Sequence, residues 1–161
     1  MLTYAGYENE RIVKRDPVIL VVDDERPICD LLGDLLEEEG YRVNRAYDGL
    51  AALAAAERER PDLILSDVTM PRLDGVSLVR RLRDRGVRAP AVLMSAVKAD
   101  VDLPYVRFVP KPFDVDDILG VVDRLTRTTG RVANRGALGR FRHPHLRTRR
   151  RRRAQRGSRP A

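Results

Sequence analysis

Five polar side chains stand where apolar runs stop. Asp23 and Asp24 follow the run from Val18 to Val22, Asp67 follows Leu63 to Ser66, Ser95 follows Ala91 to Met94, and Lys111 comes just after Val106 to Val109. If those runs are buried neighbouring strands, the polar groups meet at one end of a sheet. Three carboxylates at one spot repel and stay together only around a cation. An all-oxygen set with no His or Cys nearby favours Mg²⁺, which is held by few carboxylates plus water and substrate phosphate. Lys111 offers a counter-charge for the carboxylates or for an incoming phosphate. Ser95 offers a hydroxyl donor. Together they suit phosphoryl transfer to a carboxylate, in which metal and ammonium neutralise charge growing on the phosphoryl oxygens. Asp67 is the expected nucleophile, because the third strand should run down the middle of the sheet.

The elements that would position these groups are legible as an alternation. The run Val18 to Val22 reads as a fully buried parallel strand. Pro27 suits a first helical turn, and Ile28, Leu31, Leu32, Leu35 and Leu36 then recur at helical spacing until Gly40. Residues 41–47 read as a short strand, Asp48-Gly49 as a turn, and residues 50–60 as an Ala-rich helix stopped by Pro61. A third strand closes at Ser66-Asp67, and residues 70–75 form a loop with Pro71 and Gly75. Val76, Leu78, Val79 and Leu82 mark a helix ending at Gly86. Strands over 91–94 and 106–109 follow, and Asp114 caps a last helix with Ile118, Val121, Val122 and Leu125 on its apolar face. Strands alternating with helices predict an α/β fold: a five-stranded parallel sheet, doubly wound, with helices on both faces.

Charge divides the chain. Residues 131–161 hold twelve Arg and no Asp or Glu, so the formal net charge of +7 describes a tail. That segment has one aromatic, Phe141, and few aliphatics, a composition that cannot offset the entropy of ordering. The organisation read from this is an N-terminal extension over 1–16, a globular domain over 17–129 and an Arg-rich disordered tail over 130–161. No apolar run approaches the ~20 residues of a membrane span. The first sixteen residues lack a signal-peptide core, and Cys29 is the single cysteine, so a cytoplasmic location is expected.

Residues 17–129 resemble the receiver domain of two-component response regulators, with its flavodoxin-like fold. The matching motifs are Asp23-Asp24, Asp67 followed by Met70-Pro71 and Asp74-Gly75, Ser95-Ala96, and Lys111-Pro112-Phe113. The resemblance implies that a partner histidine kinase or phosphotransfer protein phosphorylates Asp67. It implies Mg²⁺ ligation by Asp24, Asp67 and the Thr69 carbonyl, with Asp23 assisting through water. Ser95 and Lys111 would hold phosphoryl oxygens, Pro71 and Gly75 would shape the loop beneath the site, and Ala96 would leave it open. Phe108, three residues before the lysine, occupies the family's switch position. Such a module is not an enzyme beyond its own phosphorylation and dephosphorylation, and it acts through protein contacts as a monomer or weak dimer.

One departure stands out. Fifteen residues separate Ser95 from Lys111, and the fifth strand uses several of them. Residues 97–104 must then form the whole crossover, whereas a three-turn helix alone needs about eleven residues. Eight extended residues reach roughly 26 Å, so a helix-free link is feasible. The family's fourth helix is therefore expected to be missing or reduced to a turn. Two other readings compete. An aspartyl-phosphate phosphatase of the haloacid-dehalogenase type also uses a strand-end Asp with Mg²⁺, but it wants a second Asp where this chain has Thr69. A nucleic-acid-binding regulator would use the Arg tail for non-specific phosphate contacts, without a recognition helix or stacking aromatics.

Overall fold

The structure, a computed structural model, describes residues 15–96 and 103–128. Residues 1–14 of the N-terminal extension, the Arg-rich tail and most of the 97–104 crossover lie outside the described residues.

Chain order is β1 (Val18–Val22), α1 (Arg26–Glu38), β2 (Arg42–Ala46), α2 (Gly49–Arg58), β3 (Leu63–Asp67), α3 (Gly75–Asp84), β4 (Ala91–Ser95), β5 (Val106–Pro110) and α4 (Val115–Thr128). The strands form one parallel sheet in the order β2-β1-β3-β4-β5. Every residue of β1, β3 and β4 is buried, as strands covered on both faces must be.

Strand alternation sorts the core into two layers. Leu20, Val22, Ile64 and Leu93 face Ala52, Leu53, Leu78 and Leu82 of α2 and α3. Ile19, Val21, Leu63, Leu65, Val92 and Met94 face Cys29, Leu32 and Leu36 of α1 and Ile118 and Val122 of α4. No helix among the described residues is long and apolar enough to cross a membrane.

Two sequence expectations shift. Leu31, assigned to the apolar face of α1, is 54% exposed. The buried stripe runs instead through Cys29, Leu32, Gly33 and Leu36, and Gly33 is buried because Arg45 lies across it. Asp48 is more than half of a turn: its Oδ1 accepts the Ala51 N–H at 2.7 Å, so it caps α2, which therefore starts at Gly49. The described residues contain four helices.

Candidate metal centre

Register brings the strand ends level. Val22 pairs with Ser66, so Asp23 comes abreast of Asp67. Asp67 pairs with Met94, which carries Ser95 one residue beyond, and Ser95 pairs with Pro110, just before Lys111. The Lys111 N–H donates to the Ser95 carbonyl at 2.8 Å and fixes that last step. Chain order reverses direction between β1 and β3, and the crevice at the carboxyl ends of such strands is where open α/β sheets bind ligands.

Carboxylate oxygens of Asp23, Asp24 and Asp67 lie within 4.8 Å of one another. Asp23 is fully buried and Asp67 is 6% exposed, while Asp24 opens to solvent. Lys111 Nζ is 3.0 Å from Asp67 Oδ1 and 3.9 Å from Asp23 Oδ2. Burial works against the ammonium, but its bond to Asp67 and the charges of Asp67 and Asp23 outweigh that and hold its pKa above the ordinary lysine value.

Asp23 carries the tension of the site. Its Oδ1 accepts the Glu25 N–H at 2.9 Å, but its buried Oδ2 has no hydrogen-bond partner. Burial pushes its pKa up to about 6, against the Glu25 bond and Lys111. The folded chain therefore holds this proton more tightly than the unfolded chain, so the stability it contributes is fully present below the ordinary value of 3.8 and is lost as the pH rises through about 6. An orphaned, buried carboxylate oxygen among two further carboxylates is the donor chemistry that a hard divalent cation satisfies, so the residues fit Mg²⁺. Without metal, Asp23→Asn is expected to stabilise the protein by about 1–3 kcal/mol at pH 7.5, because a buried charge that the Glu25 N–H and Lys111 only partly offset is removed. Urea unfolding in EDTA measures it; a destabilised variant means that Asp23 is compensated by something other than a metal.

The loop after β3 is built to stay close. The Val68 N–H donates to Met94 O, and Val68 O accepts the Gly75 N–H, both at 2.9 Å. A Cβ on Gly75 would lie 2.2 Å from the Asp67 carbonyl oxygen, so only glycine allows this approach of α3 to the end of β3. Asp74 caps α3 through the Ser77 N–H at 2.8 Å and the Ser77 hydroxyl at 2.7 Å, and these bonds outweigh its burial and lower its pKa. Thr69 and Pro71 are exposed in this loop. Arg72, absent from the sequence-based set, has φ 67° and pairs with Asp48 Oδ2 at 3.0 Å, tying the loop to the start of α2. No spacing rule signals that pair, because it joins two loops 24 residues apart.

Ser95 is buried and Ala96 beside it is exposed. Phe108 is half-buried and packs against the α2–α3 layer, whereas Tyr105, at φ 61°, is 78% exposed. The structure thus brings Asp23, Asp24, Asp67 and Lys111 together, sets Ser95 at the adjoining strand end, and places Phe108 further back along β5.

Residues 19–123 match the family described as the response regulator receiver domain. Response regulator MprA of Mycobacterium leprae is 38% identical over 117 residues, covering 69% of this chain and 51% of that protein. The chain therefore spans about half the length of the curated relatives it matches. Among solved structures, a Francisella response regulator receiver domain is 30% identical at a TM-score of 0.64, with 71% of this chain and 99% of that one covered. TrrA of Thermotoga maritima, solved in complex with Mg²⁺–BeF, is 32% identical at a TM-score of 0.61, with 68% and 98% covered.

Proposed function

We propose, for a chain that belongs to the response regulator receiver domain family, that Asp67 is the phosphoacceptor and that a partner histidine kinase or phosphotransfer protein supplies the phosphoryl group. The observation that carries this reading is a nearly buried carboxylate held 3.0 Å from a lysine ammonium inside a three-carboxylate cluster. The receiver unit spans residues 17–129, and its output runs through protein contacts.

In the reaction, an Asp67 carboxylate oxygen attacks phosphorus while the bond from phosphorus to the donor's histidine nitrogen breaks. The electron pair of that bond leaves with the nitrogen, and the product on Asp67 is an acyl phosphate. Lys111 binds one oxygen of the arriving group, and the Ser95 hydroxyl donates to another. Ala96 keeps the entrance clear. Phe108, half-buried on β5, is the side chain whose packing would respond to the new anion. Asp24, Asp67 and the Thr69 carbonyl would hold Mg²⁺, with Asp23 reaching it through water. Its charge would stabilise the transferring phosphoryl oxygens. Mg²⁺–BeF in the TrrA complex supports the same assignment by likeness.

Acetyl phosphate with Mg²⁺ is expected to give an alkali-labile adduct on the full chain, and chelation is expected to abolish it. In titrations followed by amide chemical shifts, Asp24→Ala should weaken Mg²⁺ binding at least about tenfold, since one of few charged ligands is lost. Unchanged affinity in Asp24→Ala would remove the exposed carboxylate from the metal site.

A further inference from the structure

The opposite end of the sheet carries a second charge pattern. Arg15, Arg60 and Arg88 each stand three residues ahead of the first residue of a strand: Val18 of β1, Leu63 of β3 and Ala91 of β4. Those strands are consecutive in the sheet, so the three arginines gather at one end of it, staggered by one residue from strand to strand because Ile19 pairs with Leu63 and Ile64 with Ala91. They line a cleft of ≈ 410 Å³ with Pro61, Asp62, Ala89 and Pro90.

Asp62 is the single carboxylate lining that cleft, and it is committed. It is 5% exposed, its Oδ2 accepts the Val18 N–H at 2.9 Å, and its Oδ1 holds Arg15 at 3.4 Å. Nearby acids are engaged elsewhere: Glu59 with Arg42 at 2.8 Å and Asn44, Glu57 with Arg85. Arg60 gives one N–H to the Gly86 carbonyl at 3.2 Å, and neither Arg60 nor Arg88 is paired with a carboxylate among the described residues. Arg88 also faces Arg83, whose pKa is lowered by burial and then by that like charge. Positive charge is thus left over at a concave site.

We propose that this cleft binds a small ligand carrying two or more adjacent phosphates, of the nucleoside di- or triphosphate class. Guanidinium forks match phosphate oxygens in pairs, and forks gathered in one cleft ahead of three neighbouring strands, two of them with no carboxylate partner among the described residues, can take adjacent phosphates. Pro61, Ala89 and Pro90 supply an apolar wall for the flat part of the ligand, and the volume lies within the ordinary range of small-molecule pockets. The cleft stands at the amino ends of the strands, away from Asp67, so its occupancy is separable from phosphorylation.

The test uses the full chain in EDTA, titrated with inorganic pyrophosphate and, in a parallel arm, with ADP. Amide chemical shifts should move at Arg60, Asp62, Arg88 and Ala89, and Arg60→Ala with Arg88→Ala should weaken both probes about tenfold or more. Both arginines are exposed, so the double variant should unfold at the wild-type temperature and accept a phosphoryl group from acetyl phosphate as before. Replacing both by Lys should leave an intermediate affinity, because charge is kept and the fork is lost. Tighter binding of ADP than of pyrophosphate assigns the apolar wall to the base; equal binding assigns the cleft to the phosphates alone. Shifts confined to other residues, undiminished affinity in the double variant, or a response to duplex DNA but to neither small probe would overturn the proposal.

Discussion

Asp67→Asn is expected to cut phosphoryl incorporation from acetyl phosphate by at least about a hundredfold, because the amide is no nucleophile while the residue keeps its shape. The neighbours cannot take over the role. Asp23 is fully buried and keeps one oxygen on the Glu25 N–H, and Asp24 faces solvent without the 3.0 Å lysine contact that Asp67 has. Phosphate-affinity electrophoresis with and without alkali treatment reads the outcome. Thermal unfolding beside it separates loss of chemistry from loss of fold. Lys111 keeps Asp23 as a partner at 3.9 Å in the variant, so the fold should survive. Labelling of Asp67→Asn at the wild-type level would overturn the assignment and shift attention to the other two carboxylates.

The cluster at the strand ends was legible in the sequence because each of its residues interrupts a pattern. Asp23, Asp67, Ser95 and Lys111 end apolar runs that can only be buried strands, and strand ends in a parallel sheet share one edge. Alternation of strands and helices likewise specified the sheet, its doubly wound character and the central place of β3. What the pattern could not carry was direction around a helix and contact between loops. Leu31 fits a helical repeat but sits beside the buried stripe, since at 100° per residue a one-position offset turns a side chain outward. The Asp48–Arg72 pair and the gathering of Arg15, Arg60 and Arg88 around one cleft exist only after the sheet is assembled, and no local rule reports them.

Gly75→Ala tests how tightly the centre depends on its backing. The added methyl would lie 2.2 Å from the Asp67 carbonyl oxygen and 3.1 Å from both its carbonyl carbon and Ser66 Oγ. The nearest of these are backbone atoms of a buried central strand, so they cannot swing aside as a side-chain tip would. Either α3 backs away, loosening the Gly75 N–H bond to Val68 O, or the end of β3 moves and carries the Asp67 carboxylate with it. A cost of about 1–3 kcal/mol is expected from overpacking of this kind. Mg²⁺ affinity should fall about tenfold as the carboxylates lose their alignment. Gly120→Ala is the matched control. It lies within α4, where a Cβ would meet only the Arg124 guanidinium at 3.7 Å, so the same substitution should be neutral or stabilise by up to ~1 kcal/mol. Urea denaturation and Mg²⁺ titration of the two variants decide the matter. If Gly75→Ala matches Gly120→Ala in both, the close approach of α3 to β3 does not position Asp67, and the alignment of the centre must come from the strand register alone.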